Sequence, residues 1–512
     1  MKFTTKSISI LFVSAVVLLS VGCSDFLKEE DPSNIAPGTF FTEPEHAQAA
    51  VLELYENLRF HDDGAGIFSA NFQMIDALSG TCGTETGQNS DLNNLYNQQL
   101  TGDNLHLTQW WRQLYEGVGN ANLAIARIPE IPLMPEADKT KWLGHARFMR
   151  ALHYFWLVQL WGDVPLLTEP IYTYTSPDVT PTRSTKEEVY ALIEQDLLAA
   201  EQAGFPDLDA SGLASRTAVR SLLAKVYLTQ AGFPLRKQGY YQKAADKAKE
   251  VIDYSAAHPA ELNLFDSLGY LHDLTKENVV EHIFEIQYAA GVANSDYQAY
   301  FLPNNTNITA SGEVGTTVPT AKFLDSFEPG DRRMEEKEFF FKRYGTGKGD
   351  TLGRLYVYKL YDVVANGLIG VKNSTSGSGN AGINYPILRY ADVLLMYAEA
   401  QNEATGPSVA VFDALNAVRV RSHLTPVAGL SQADLRNAIW RERWHELCFE
   451  NQTWYDMIRT RKIYDEAHDT FVDFIGGTLG TGVKLEEKNL LLPLPAGDYR
   501  NNPNLRPNNP GY

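Results

Sequence analysis

KWLGHARFMRALHYFWLVQLWGDVPLL, residues 141–167, is the stretch on which the reading of the whole chain depends. From Trp142 to Trp161 it is apolar or aromatic at nearly every turn, with Arg147, Arg150, His153 and Gln159 as the main interruptions. A helix that is apolar on most faces is buried among several neighbours and does not lie on a surface. Gly162-Asp163, with Pro165 beyond, ends the helix and turns the chain extended. Arg147 and Arg150, three residues apart, share one face. Guanidinium groups at that depth need carboxylate or carbonyl partners from other helices. The expectation is a set of helices built around this one.

Working outward, helical signals recur on both sides. Upstream, Glu45 to Arg59 reads as an amphipathic helix with Ala49, Leu52, Tyr55 and Leu58 at three-residue steps, broken by HDDGAG at 61–66. Asp76 to Asp103 is polar and Gly/Asn-rich around Cys82 and reads as a long surface loop. Trp111, Leu114, Tyr115, Val118, Ala121 and Asn122 return to helical spacing. Downstream, Ser184-Thr185-Lys-Glu187-Glu188 offers two overlapping capping boxes. Residues 216–230 and 240–254 form a helix pair across a Gly-Phe-Pro turn, with Ala244, Ala248 and Val251 spaced for close helix contact. Residues 386–404 and 408–422 repeat that pattern, with Ala410, Ala414 and Val418 at four-residue steps. Small residues at such steps are typical of tetratricopeptide-like pairs. Helix resumes over 431–461.

Between 256 and 385 the texture changes to short β-like runs (282–288 and 354–364) among Gly/Asn/Thr-rich stretches. Loops of that length inside a compact unit are usually functional or disordered. The chain of 512 residues is long for one core. Its net charge of −19 disfavours binding to nucleic-acid phosphates or anionic headgroups through bulk charge. Three cysteines without a CxxC give neither a zinc pattern nor a disulfide framework. Residues 1–22 read as a secretory leader: Lys2 and Lys6, an apolar run from Ile8 to Leu19, then small residues before Cys23. Ser20-Val21-Gly22-Cys23 reads as a lipobox with Cys23 the acylated residue, although Ser20 stands where Leu is commoner. The acids Glu29, Glu30 and Asp31 follow it in a short tether.

These motifs resemble those of the RagB/SusD family, the surface lipoproteins of nutrient uptake in Bacteroidetes outer membranes. Gly144 to Phe148, Arg150-Ala151, Tyr154-Phe155, Leu157-Val158 and Trp161 to Leu166 look like its hallmark helix. Tyr385-Pro386, Arg389 to Val393 and Tyr397 to Ala400 resemble its central C-terminal helix, and Leu415-Asn416, Val418-Arg419 and Arg421 the helix after it. Glu442-Arg443, Glu446-Leu447, Phe449-Glu450, Trp454, Asp456 and Ile458-Arg459 match the next motif. Two positions depart from the family pattern: Asn451 stands where Gly is usual and Thr453 where Arg is usual. Asn502-Pro503, Leu505 and Asn509 to Tyr512 fit its ending.

The resemblance implies a mostly α, SusD-like fold: a tetratricopeptide-like helical repeat scaffold with a loop-rich, slightly β-containing ligand lobe. It divides the chain into a signal peptide (1–22), an N-terminal region (23–230) and a C-terminal region (231–512) that includes variable loops at 256–385. It implies an outer-membrane lipoprotein anchored through Cys23 and facing the cell exterior. Such a protein captures oligosaccharides, or peptides, and passes them as a hinged lid to a SusC-like TonB-dependent β-barrel transporter. No cofactor, metal or nucleic acid is expected, and no catalysis.

Rival motifs are weaker. Gly377 to Gly382 satisfies GxGxxG, but polar residues precede it and Pro386 follows, where a dinucleotide site needs a strand and then a helix. His445-Glu446 begins HExxH, yet Phe449 replaces the second ligand. Asp392, Glu399 and Glu403 invite a glycosidase reading, which requires two carboxyls flanking a scissile bond. The nearby Arg389, Arg419, Arg421, Arg443 and Arg459 favour buried ion pairs instead. Cys82 and Cys448 read as isolated thiols, the latter within a helix. A sugar-binding surface wants exposed rings interleaved with amides. Asn93 to Gln98 and Tyr288 to Asn305 have that composition, which selects Asn94, Tyr96, Tyr288, Asn294, Tyr297, Tyr300, Phe301 and Asn304 as candidate ligand contacts. Two other functions remain open, a surface glycoside hydrolase and an assembly lipoprotein without a small ligand.

Overall fold

The computed structural model describes residues 40–512 apart from 88, 173–175, 177–178, 305, 345–349 and 368–376. The leader, Cys23, the acids behind it and Asn305 lie outside the described residues. The helices in order are α1 (Pro44–Asn57), α2 (Gln73–Ser79), α3 (Ser90–Tyr96), α4 (Leu105–Arg127), α5 (Glu136–Trp161), α6 (Lys186–Glu201), α7 (Arg216–Ala231) and α8 (Tyr240–Ala257). Then come α9 (Tyr297–Phe301), α10 (Ala321–Asp325), α11 (Val363–Asn366), α12 (Tyr390–Thr405), α13 (Val409–Arg421), α14 (Gln432–Glu446), α15 (Thr453–Thr460) and α16 (Ala496–Asn501). Strands occur only as antiparallel pairs among the described residues. β1 (Cys82–Gly83) meets β3 (Val318–Pro319), and β2 (His282–Ile286) meets β6 (Tyr385–Arg389). β4 (Phe340–Tyr344) meets β5 (Asp350–Val357), and β7 (Lys462–Asp465) meets β8 (Thr470–Asp473).

Helix α5 holds the centre, as its composition requires. It is buried from Gly144 to Trp161 almost without interruption and packs against α4, α6 and α1. Arg150 finds the carboxylate it needs on α6: Nε and Nη2 donate to the two oxygens of Asp196 at 2.7 and 2.8 Å, and Nη1 to Asn122 at 2.9 Å. Arg147 is only half-buried. The helix stops at Gly162, whose φ of +75° few other residues adopt. There the C-terminal tail clamps it. Trp161 Nε1 donates to Pro493 O at 3.0 Å, and Asn509 Nδ2 donates to the carbonyls of Trp161 and Leu492.

The helix pairs follow from small residues. Ala244, Ala245, Ala248 and Val251 of α8 are wholly buried, and α8 packs on both α7 and α12. One apolar cluster runs from Phe41 to Leu505, joining both halves of the chain. Thr185 and Glu188 form a reciprocal capping box at the start of α6, one of the two boxes that the sequence offered.

Four expectations need correction. In α1 the buried face is Ala47, Val51 and Leu54, while Leu52 is exposed. Three-residue steps lag the helix by about 60° each, so they drift off any one face. Residues 76–103 are not a surface loop: all of α2 is buried, as are Cys82 and, in α3, Leu92, Leu95 and Tyr96. Their polar side chains bind distant groups, as Gln98 Nε2 does with the Leu78 carbonyl at 2.9 Å and Asn89 Nδ2 with Ser69 Oγ at 2.7 Å. Residues 386–389, read as the start of a helix, belong to β6. Helix 431–461 is broken between α14 and α15, where Phe449 and Asn451 adopt φ of +59° and +55°. Asn tolerates that left-handed conformation, which accounts for its standing at a position where Gly is usual. Cys448 therefore lies in this break, buried, and both it and Cys82 are free thiols.

The β2 strand carries an acid that the interior keeps protonated. Burial pushes the Glu285 carboxyl up to about 8 and pulls His282, 3.1 Å away, down to about 3. His282 is then neutral. Its ring is hydrogen-bonded to the Tyr270 backbone, and Nδ1 lies 3.1 Å from the Glu285 carboxyl without a hydrogen bond to it. A carboxyl raised on folding binds more protons in the native state, so its stabilisation is complete below the unfolded pKa and lost as pH rises towards 8. We expect Glu285→Gln, neutral and still a donor, to shrink the fall in Tm between pH 5 and pH 8. An unchanged fall would mean that Glu285 is ionised in the native protein.

Candidate functional site

Four loop segments meet on one face. Residues 62–70 fold back on themselves through an Ala65 N to Ser69 O bond of 2.8 Å. Asn89 buckles this turn by donating to Ile67 O and Ser69 Oγ at 2.9 and 2.7 Å. Its tip projects Ile67 and Phe68, 62% and 47% exposed, with Phe68 at φ +56°. A strained tip that holds a ring in water is uncommon, since burial would favour it by about 2 kcal/mol. Asp62, at the base of the turn, accepts from Asp296 N at 2.5 Å and so ties the turn to α9.

The second and third segments, 84–91 and 289–316, interlock through Glu85. Its amide donates to Gly315 O at 2.8 Å, and its carboxylate accepts from Tyr356 Oη at 2.6 Å and Asn304 N at 3.3 Å. Gly315, at φ +66°, leaves room for that carboxylate. Glu313 gathers the amides of Thr306, Asn307, Ile308 and Thr309 at 2.6–3.0 Å, fixing the tip of this loop. The fourth segment, 377–384, holds the GxGxxG match. Ser295 N donates to Ala381 O, and Gly382 N to Asp362 at 2.9 Å. No helix follows it before α12, so the glycines line a loop and open no dinucleotide fold.

The eight candidate residues divide sharply. Tyr96, Tyr288, Tyr297 and Phe301 are buried and present no ring to solvent. Tyr96 Oη donates to Thr316 O at 2.5 Å. Asn451 donates to His61 Nε2 at 2.7 Å, leaving His61 Nδ1–H for Tyr297 Oη at 3.1 Å, which in turn meets Tyr288 Oη at 2.6 Å. Burial holds His61 neutral, its pKa pulled down to about 3. Phe72 packs on Tyr297 and Phe301, so these rings are the foundation beneath the loops. Tyr300, packed on Phe72 from one side, is half-buried. Asn94 and Asn304 are half-buried, while Asn294 is exposed and accepts from Gly291 N at 2.6 Å. Sequence reasoning missed Ile67 and Phe68. Their signal was two large apolar residues directly after a Gly-rich break, which reads equally well as the start of a core element.

The tempting carboxylates are all engaged in ion pairs. Asp392 is bound by Arg443 and Lys225 at 2.8 Å each, Glu399 by Arg459 at 2.5 and 2.7 Å, and Glu403 by Arg436 at 2.6 Å. The cations beside Asp392 hold its carboxyl well below the usual range despite burial. Arg389 and Arg421 serve other acids: Arg389 spans Glu281, Glu446 and Glu450, and Arg421 spans Glu281 and Glu446. Arg419 pairs with Glu328 and Glu442. Asp392 and Glu399 are 2% and 1% exposed, closed to any substrate.

Two family descriptions match the chain, "SusD family" over 333–512 and "Starch-binding associating with outer membrane" over 41–228. It is 30% identical to SusD-like protein P2 of Formosa agariphila, over 99% of this chain and 100% of that protein. The chain belongs to the SusD family. This SusD-family protein also resembles a solved SusD superfamily protein from Parabacteroides distasonis, with TM-score 0.83, 33% identity, and coverage of 91% of this chain and 99% of that one. It shares its fold with surface glycan-binding protein A of Bacteroides thetaiotaomicron, solved in complex with laminarihexaose, at TM-score 0.70 and 20% identity over 91% and 100% of the two chains. Much of the loop face, residues 289–316, lies between the two family matches.

Proposed function

We propose that this chain is a glycan-capturing lipoprotein of the outer membrane, anchored through Cys23 and facing the cell exterior. It takes oligosaccharides on the loop face and delivers them as a hinged lid to a SusC-like TonB-dependent transporter. Membership in the SusD family and the laminarihexaose complex of a protein with the same fold support this reading. The single observation that carries it here is the Phe68 tip: an exposed ring on a turn that Asn89 braces and Asp62 ties to Asp296. Sugar C–H faces stack on such a ring, and their hydroxyls donate to Asp63 and Asp296 and bond with Asn294 and Asn304. Tyr300 adds a second ring. A preformed surface of this kind binds without paying to order its loops first. The ion-paired carboxylates leave chemistry to other proteins, and recognition is the whole task of this one.

The test is to measure affinity for a retained polysaccharide in Phe68→Ala and Tyr300→Ala. Each should weaken binding about tenfold, equivalent to about 1.4 kcal/mol, Phe68→Ala without change in Tm and Tyr300→Ala with a lower Tm from its lost packing on Phe72. Unchanged affinity in both would remove the loop face from the account.

A further inference from the structure

We propose that the loop face admits uncharged glycans and excludes polysaccharides that carry sulfate or carboxylate groups. This rests on the reading of that face as the glycan site and narrows its ligand to one chemical class. The four segments, 62–70, 84–91, 289–316 and 377–384, contain Asp62, Asp63, Glu85, Asp91, Asp296 and Glu313 but no lysine, arginine or histidine, in a chain that carries 44 lysines and arginines. A sulfate or carboxylate taken out of water needs a guanidinium or ammonium partner. A sugar hydroxyl needs only an acceptor or an amide, and these segments are rich in both.

Three arginines border the segments, and each is engaged. Arg59 Nε donates to Gln287 O at 2.9 Å and Nη1 to Glu56 at 3.3 Å. Arg354 Nη2 donates to Pro319 O at 2.5 Å, and its Nη1 lies 4.0 Å from Glu85. Burial raises the Asp63 carboxyl, and the charge of Arg112 on α4 opposes that rise. The acids themselves fall into two groups. Glu313 and Glu85 are held by the loops' own amides, and Asp62 by Asp296 N. Burial pushes the Asp62 carboxyl well up, and the charges of Asp296 and Asp63 add to it, which places those two together around Asp62 at the foot of the Phe68 turn. Asp63 and Asp296 are exposed, and their carboxylates have no hydrogen bond or salt bridge among the described residues. They can accept from sugar hydroxyls, while the same charges repel an anionic substituent. Two such carboxylates, one of them opposed by Arg112, suit a polyol better than a basic peptide.

Isothermal titration of the chain from residue 24 onward, against neutral polysaccharides including laminarin, dextran and soluble starch and against the sulfated or carboxymethylated form of each, tests the selection. It is run at about 0.01 M and about 1 M salt, between which the Debye length falls from about 30 to about 3 Å. The expected result is saturable binding of at least one neutral glycan, with its anionic form bound about tenfold weaker or worse at low salt. High salt should narrow that gap, and so should Asp63→Asn combined with Asp296→Asn at low salt. Should the double variant fold poorly, the salt dependence of the wild type decides. Anionic forms bound as tightly as the neutral ones, or more tightly, would overturn this inference and leave the glycan reading standing. A gap unmoved by salt and by the double variant would mean that bulk excludes the anionic forms, and would overturn the charge argument. Silence towards every glycan, neutral or anionic, or binding of a basic peptide alone, would overturn the glycan reading and this inference with it.

Discussion

Arg389→Met is expected to lower the unfolding free energy by about 3–5 kcal/mol, read by urea denaturation at pH 7. Arg389 is 1% exposed and binds three buried acids at once, Glu281, Glu446 and Glu450. A methionine of similar length fills the space but leaves those carboxylates facing one another. Arg421 and Lys359 still neutralise part of that charge, at 2.6 Å to Glu281 and 2.5 Å to Glu450, so the loss is large without abolishing the fold. The cluster joins β6, α13, α14 and the break before α15, so it also fixes how the C-terminal helices meet. A loss below about 1 kcal/mol would show that the pairs roughly cancel their own desolvation and that apolar packing alone sets this geometry.

Asp392→Asn and Glu399→Gln should each cost about 3 kcal/mol, while the folded fraction binds glycan as the wild type does. Asp392 leaves Arg443 and Lys225 behind, and Glu399 leaves Arg459. Both substitutions act on a network shared through Asp456, so their combined cost should differ from the sum. The pH dependence has a definite sign. The carboxyl of Asp392 is held low by Lys225 and Arg443 against burial, and that of Glu446 is pulled down to about 2 by Arg421 and Arg389. Their stabilisation is therefore complete above the unfolded carboxylate range near pH 4 and lost as pH falls through 2. Asp392→Asn should lose less stability than the wild type over that acid window. Cleavage of a glycan by the wild type that is lost in a stable variant would point to a hydrolase instead.

What the sequence discloses depends on whether its neighbours are local. Helix α5 was legible because burial on every face leaves only one reading, and Thr185-Glu188 because a capping box is complete within four residues. The ion pairs were legible as a kind: five arginines among buried acids must pair, although which acid each one takes is set by the packing of α7, α12, α14 and α15. Residues 76–103 misled because Asn89 and Gln98 look like loop residues until their partners at Ser69 and Leu78 are seen. The candidate site misled for a related reason. A ring beside an amide has the same composition whether it forms a platform or its foundation. Tyr297 was assigned to the core by His61 and Phe72, more than two hundred residues away. Phe68 was brought to the surface by Asn89.

The most direct test of the account is to titrate the protein from Ser24 onward, without lipid, against soluble polysaccharides including laminarin, their oligomers and a peptide digest, while assaying the same tubes for released reducing ends. Capture predicts saturable binding to at least one glycan, weakened by Phe68→Ala, with no rise in reducing ends. Released ends, or binding to no glycan while peptides bind, would contradict it.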